Sequence, residues 1–197
     1  MRRRNPARIL IVFVVFAIAV VGLFFYLSNR SKAIEEGKRN QMSAVQEVLA
    51  RNLETNYPPT PKEVLKYYSE ITRCYYGEEY TDEELVKLAI KSRELFDDEL
   101  VANQTDEQYL SALKMDIATW KKDNKVISSY SVSSSTDVQE YSYAGYEWAQ
   151  LYCMYSVRMG TNVAPVQEHF IMRKDARGHW KILGWELVKP EDDNGEG

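Results

Sequence analysis

The chain reads as an α+β protein: one N-terminal transmembrane helix, then three helices packed on an antiparallel sheet. Three observations lead there. Residues 9–27 are nineteen consecutive uncharged positions, three threonine-led helix starts follow, and from Lys125 the apolar period changes from helical to alternating. Helices first and strands after, with no βαβ alternation, require the helices to lay their apolar stripes on one face of the sheet.

The first element is the hydrophobic run Ile9 to Leu27, ILIVFVVFAIAVVGLFFYL. At about 1.5 Å rise per residue it spans roughly 28 Å, close to the hydrocarbon thickness of a bilayer. Arg2, Arg3, Arg4 and Arg8 precede it with no acid among them. They predict a cytoplasmic tail at 1–8 and place the rest of the chain outside the cytoplasm, on the cell membrane, as a single-pass signal anchor. Arg30, Lys32, Lys38 and Arg39 on the far side weaken that bias. The competing reading is a cleaved signal peptide ending near Ser31-Lys32-Ala33, although the apolar run exceeds the usual length.

Of 25 basic residues, the four arginines of the tail leave 21 against 29 acids, a net of −8 for the remainder. An acidic outer part argues against nucleic acid, whose phosphates need a basic face. It argues equally against lying flat on anionic lipid.

Residues 28–56 are polar and read as a juxtamembrane helical linker, with Val45, Val48, Leu49 and Leu53 at helical spacing over 42–54. The folded α+β domain is expected at 57–190. Its first helix starts at Thr60-Pro61-Lys62-Glu63 and carries Val64, Leu65, Tyr68, Ile71 and Tyr75 on one stripe, with Gly77 as its stop. The second starts at Thr81-Asp82-Glu83-Glu84 and carries Leu85, Leu88, Ala89 and Phe96. The third starts at Thr105-Asp106-Glu107-Gln108 and carries Tyr109, Leu110, Leu113, Ile117 and Trp120. Strands are predicted at 125–134, 137–143, 146–159, 163–174 and 179–188, with turns at Ala144-Gly145, Gly160-Thr161-Asn162 and Asp175 to Gly178. The last three strands, joined by short loops, form a meander. Residues 191–197 are polar and read as a disordered tail.

The final hairpin carries a family resemblance. Phe170-Ile171-Met172-Arg173-Lys174, the turn Asp175-Ala176-Arg177-Gly178, and the strand Trp180-Lys181-Ile182-Leu183-Gly184-Trp185 follow a helical half. In this order they resemble the end of nuclear transport factor 2-like domains over about residues 57–188. The resemblance implies a cone: a strongly curved sheet with a cavity between it and the helices, in which the family's enzymes hold an Asp/His or similar pair. The segment Tyr57-Pro58-Pro59 through Cys74-Tyr75-Tyr76 also resembles small membrane-anchored proteins of clostridia-type Gram-positive bacteria.

No catalytic constellation emerges from the residues. Glu168 and His169 are adjacent in a strand and point to opposite faces, so they cannot act together. His179, at a turn, is expected to be exposed. The acid runs Asp82-Glu83-Glu84 and Asp97-Asp98-Glu99 lack the alternation of a calcium loop. There is no phosphate loop, nucleophile elbow or zinc spacing, so no cofactor and no metal are expected. Cys74 and Cys153 allow one disulfide but read first as two small buried hydrophobes. In the long strand Ala149, Leu151, Cys153, Tyr155 and Val157 form the apolar face that helices should cover. The opposite face, with Trp148, Tyr152 and Met154, is the candidate binding face, to which His169 and Trp185 are added. The expected function is a non-enzymatic, membrane-tethered binding or scaffolding domain for a protein partner or a small ligand. The alternatives are a cone-pocket enzyme of isomerase or dehydratase type, and an assembly subunit of a secretion or conjugation machine.

Overall fold

The computed structural model describes residues 42–189. The expected cytoplasmic tail, transmembrane helix and C-terminal tail lie outside the described residues. Among the described residues no helix is long and apolar enough to cross a membrane.

The architecture is α+β, five helices followed by five antiparallel strands among the described residues. Helix α1 is Ala44–Ala50, with Ser43 and Gln46 closing a reciprocal capping box. Helix α2, Pro61–Gly77, starts on Thr60, whose side chain accepts from Glu63 N–H. Helices α3, Asp82–Glu94, and α5, Asp106–Lys122, each begin with a full capping box, at Thr81/Glu84 and Thr105/Gln108. Between them lies a short helix, α4, Asp98–Ala102, capped by Asp97. The sequence reading lacks α4, because five residues are too few to show a helical period.

The strands are β1 Lys125–Val132, β2 Gln139–Tyr143, β3 Tyr146–Met159, β4 Asn162–Lys174 and β5 Trp180–Leu187. Strand β3 is long enough to take β1 along Cys153–Met159 and β2 along Tyr146–Gln150 on one edge. Strands β4 and β5 follow on its other side as the expected meander. The β2–β3 turn puts Ala144 and Gly145 at φ 51° and 81°, the left-handed pair that a two-residue hairpin needs. The β5 edge is partly covered. Leu95–Asp97 run alongside it, with Asp97 N–H donating to Ile182 O and Ile182 N–H to Leu95 O, at 2.8 and 2.9 Å. Phe96 therefore belongs to this bridge and not to α3, which stops at Glu94.

The core lies between the helices and the predicted face of the sheet. Ala149, Leu151, Cys153, Tyr155 and Val157 are all buried, as are all five stripe residues of α2. The compact unit starts at Ser43, not at residue 57. Helix α1 is part of the domain: Val45, Val48 and Leu53 are buried, and Tyr67 Oη donates to Val48 O at 2.7 Å. The residues read as a linker thus include core, since their apolar side chains find a partner in α2 and α3.

Candidate functional site

The helices do not fill all the space over the face of the sheet that they cover. A cavity of about 800 Å³ remains between α2, α5, the Val166–Glu168 part of β4 and the end of β5, within the range of small-molecule sites. Its origin is local. Helix α5 has seventeen residues but buries only Leu113 and Ile117, while Tyr109, Leu110 and Trp120 of the same stripe are only partly buried. Opposite them, Trp185 and Leu187 keep 39% and 65% of their surface exposed because they face open space and not a helix.

The wall is aromatic. Tyr68 lies 5.7 Å from Trp185 and 5.8 Å from Phe96, and Tyr76 and Trp120 sit 4.4 Å apart at the α2–α5 side. Most polar atoms of the wall satisfy one another. Ser69 Oγ is 3.1 Å from Tyr155 Oη and 3.3 Å from Cys153 Sγ. Ser92 Oγ joins Tyr75 Oη and Tyr109 Oη, each at 2.9 Å. Burial pushes the Tyr68, Tyr75 and Tyr155 hydroxyls well above their ordinary range, so they remain neutral donors. At the rim Tyr76 Oη donates to Asp116. Arg93 lies at the other end, bound to Asp106 Oδ1 at 2.7 Å and to Gln104 O at 2.9 Å.

Glu168 is the exception. It sits on the cavity side of β4 between Val166 and Phe170, and its carboxyl has no hydrogen bond or ion pair among the described residues. Burial alone pushes it up to about 7. A carboxyl that exchanges its proton near neutrality inside an apolar chamber can oppose a cation, donate a hydrogen bond, or move a proton. Among the described residues no three His, Cys, Asp or Glu side chains converge as a metal site requires.

The predicted binding face divides. Trp148, Tyr152, Met154 and His169 lie together on the outer face of the sheet. Tyr152 and His169, paired across β3 and β4, stack at 4.7 Å, and His169 Nδ1 is 3.6 Å from Glu186 Oε1. Arg173 covers this face further along, 4.8 Å from the Tyr146 ring and 5.7 Å from that of Trp148, while bonding Asp97 and Glu99. Trp185 does not belong with them. It pairs with buried Phe170 and lines the cavity. The cause is a β-bulge: the register shifts between Ile171 and Met172, so Leu183 is extra and the alternation set by Trp180 and Ile182 reverses before Trp185. His179, expected to be exposed, is partly buried and stacks on Tyr57 at 4.2 Å.

Glu168 is the residue that the sequence reading left without a role. The signal was present: Val166, Phe170 and Met172 share its face, and a lone carboxyl on an apolar face needs a reason. The cysteines are both buried and unbonded, and burial raises both thiols.

No curated protein matches the chain. A family model described as a domain of unknown function, DUF6715, matches residues 1–185, and the chain belongs to that family.

Proposed function

We propose that this chain is a membrane-anchored, extracytoplasmic binding domain of the nuclear transport factor 2-like cone type, with its ligand held in the cavity between helices and sheet. The observation that carries this reading is the cavity itself: about 800 Å³, aromatic-walled, open at Trp185 and Leu187, and provided with one unpaired carboxyl. The order of helices and antiparallel strands supports the cone, and the nineteen uncharged residues at 9–27 support the anchor. The arginines of the first eight residues support an extracytoplasmic position. An assembly role in a secretion or conjugation machine would use the outer face around Trp148 and Tyr152 instead.

The test is native mass spectrometry of the full chain extracted from membranes in mild detergent. The expected result is a small-molecule adduct that is lost in Ala112→Trp, which sets a large ring beside the cavity without touching the core. Recovery of the chain in the soluble fraction, or an adduct-free chain that also ignores apolar probes, would overturn the reading.

A second reading, an acid–base enzyme of isomerase or dehydratase type, is favoured by one observation, the near-neutral proton of Glu168 beside tyrosine hydroxyls. It requires turnover that disappears in Glu168→Gln with ligand binding retained.

A further inference from the structure

We infer that the cavity selects an organic cation, an ammonium group carried on an apolar body, with Glu168 as its counter-ion and the surrounding rings as its cage. This rests on the cavity being a binding site and names the chemistry of what it binds.

The charges around the cavity are unbalanced. The carboxylates of Glu168 and Asp116 line it, that of Glu186 turns to His169 on the outer face, and the one basic side chain among its described residues, Arg93, is already neutralised by Asp106 at 2.7 Å. The guanidinium is further held by the carbonyls of Val101 and Gln104. An anionic ligand would therefore enter a negative field of low dielectric with no free cation to meet it. A wholly neutral ligand would leave the Glu168 carboxylate desolvated and uncompensated. An ammonium satisfies both conditions. Its charge faces Glu168, and the negative ring faces of Tyr68, Tyr76, Trp120 and Trp185 add attraction that a neutral group of equal size does not receive. The apolar body then fills the rest of the chamber.

The groups facing Glu168 are Tyr68 and Tyr76 of α2 and Cys153 and Tyr155 of β3, with Asp116 of α5 and Arg93 of α3 on the same cavity and Glu186 of β5 at its edge, its carboxylate beside His169. The three tyrosines and the thiol are all pushed up, so they stay neutral between pH 5.5 and 8 (a range that brackets Glu168 at about 7).

The experiment is calorimetric titration of the full chain in zwitterionic-lipid nanodiscs, with empty discs as the blank. Three probes share one body: (2-naphthylmethyl)trimethylammonium, 2-naphthylmethanol and 2-naphthoate. At pH 8 the ammonium is expected to bind about tenfold or more tighter than the alcohol, and the naphthoate weaker than either. In Glu168→Gln the ammonium loses that advantage while the alcohol is unchanged, which also shows that the variant is folded. In the wild type, acidification to pH 5.5 weakens the ammonium alone, and this dependence is absent from the variant. Equal binding of ammonium and alcohol, or an ammonium preference that survives Glu168→Gln, overturns the inference and leaves the cavity as a binding site. Failure of all three probes to bind overturns the inference and the proposed function together.

Discussion

Glu168 couples the stability of the fold to pH. A carboxyl partly buried without a partner binds its proton more tightly folded than unfolded, and here the folded value rises from an ordinary 4.5 to about 7. The folded state binds more protons than the unfolded state between those values, so stability falls as pH rises through that window. Below about pH 4.5 both states are protonated and the carboxyl costs nothing. Above about pH 7 the full penalty is present. Gln mimics the protonated carboxyl, so Glu168→Gln should match the wild type at pH 4.5 and exceed it by about 1–2 kcal/mol at pH 8, after allowance for solvent screening. Thermal melts of both chains at the two pH values check this, and a pH-independent difference would contradict it. Such a destabilising group, kept inside a cavity, fits a site better than a packing role. The two cysteines are the opposite case. Each is a small buried hydrophobe, and each thiol is pushed up by burial, away from reactivity.

At the scale of elements, the close contact between α2 and β1 leaves the cavity on one side of α2. Gly77, the last residue of α2, faces the β1 backbone so closely that a Cβ would stand 2.7 Å from Ile127 O. Ala is the better helix former by about 1 kcal/mol. Nevertheless Gly77→Ala should lower stability by about 1–3 kcal/mol, because two backbones must separate. Urea unfolding measures it, and a gain in midpoint would refute the argument. Helix α5 is the least committed wall, with two buried residues in seventeen. The bulge between Ile171 and Met172 is the other decisive element feature, since it turns Trp185 from the outer face to the cavity.

For the whole molecule, the folded unit extends further toward the N-terminus than residue 57. Burial of Val45, Val48 and Leu53 contributes roughly 5 kcal/mol by area, which is comparable with the total stability of a domain this size. Trimming the chain to residues 57–189 also removes the carbonyl of Val48 that accepts from the Tyr67 hydroxyl. The trimmed chain should melt at least 15 °C lower than the full one, or fail to fold, as circular dichroism would show. An unchanged melt would mean that α1 is only adjacent to the domain.

The sequence by itself determined the helix starts at Thr60, Thr81 and Thr105, the strand spans from Lys125 onward and the buried face of β3. These rest on contacts between residues a few positions apart, or on strict alternation, and both are written in the local order of residues. Only the tertiary structure decided that α1 belongs to the core, that Phe96 bridges to Ile182, that Trp185 faces inward, and that Glu168 stands alone in a cavity. Each of these depends on where distant segments meet. A bulge reverses alternation with no more local mark here than Gly184, and a void exists only where several elements fail to close on one another.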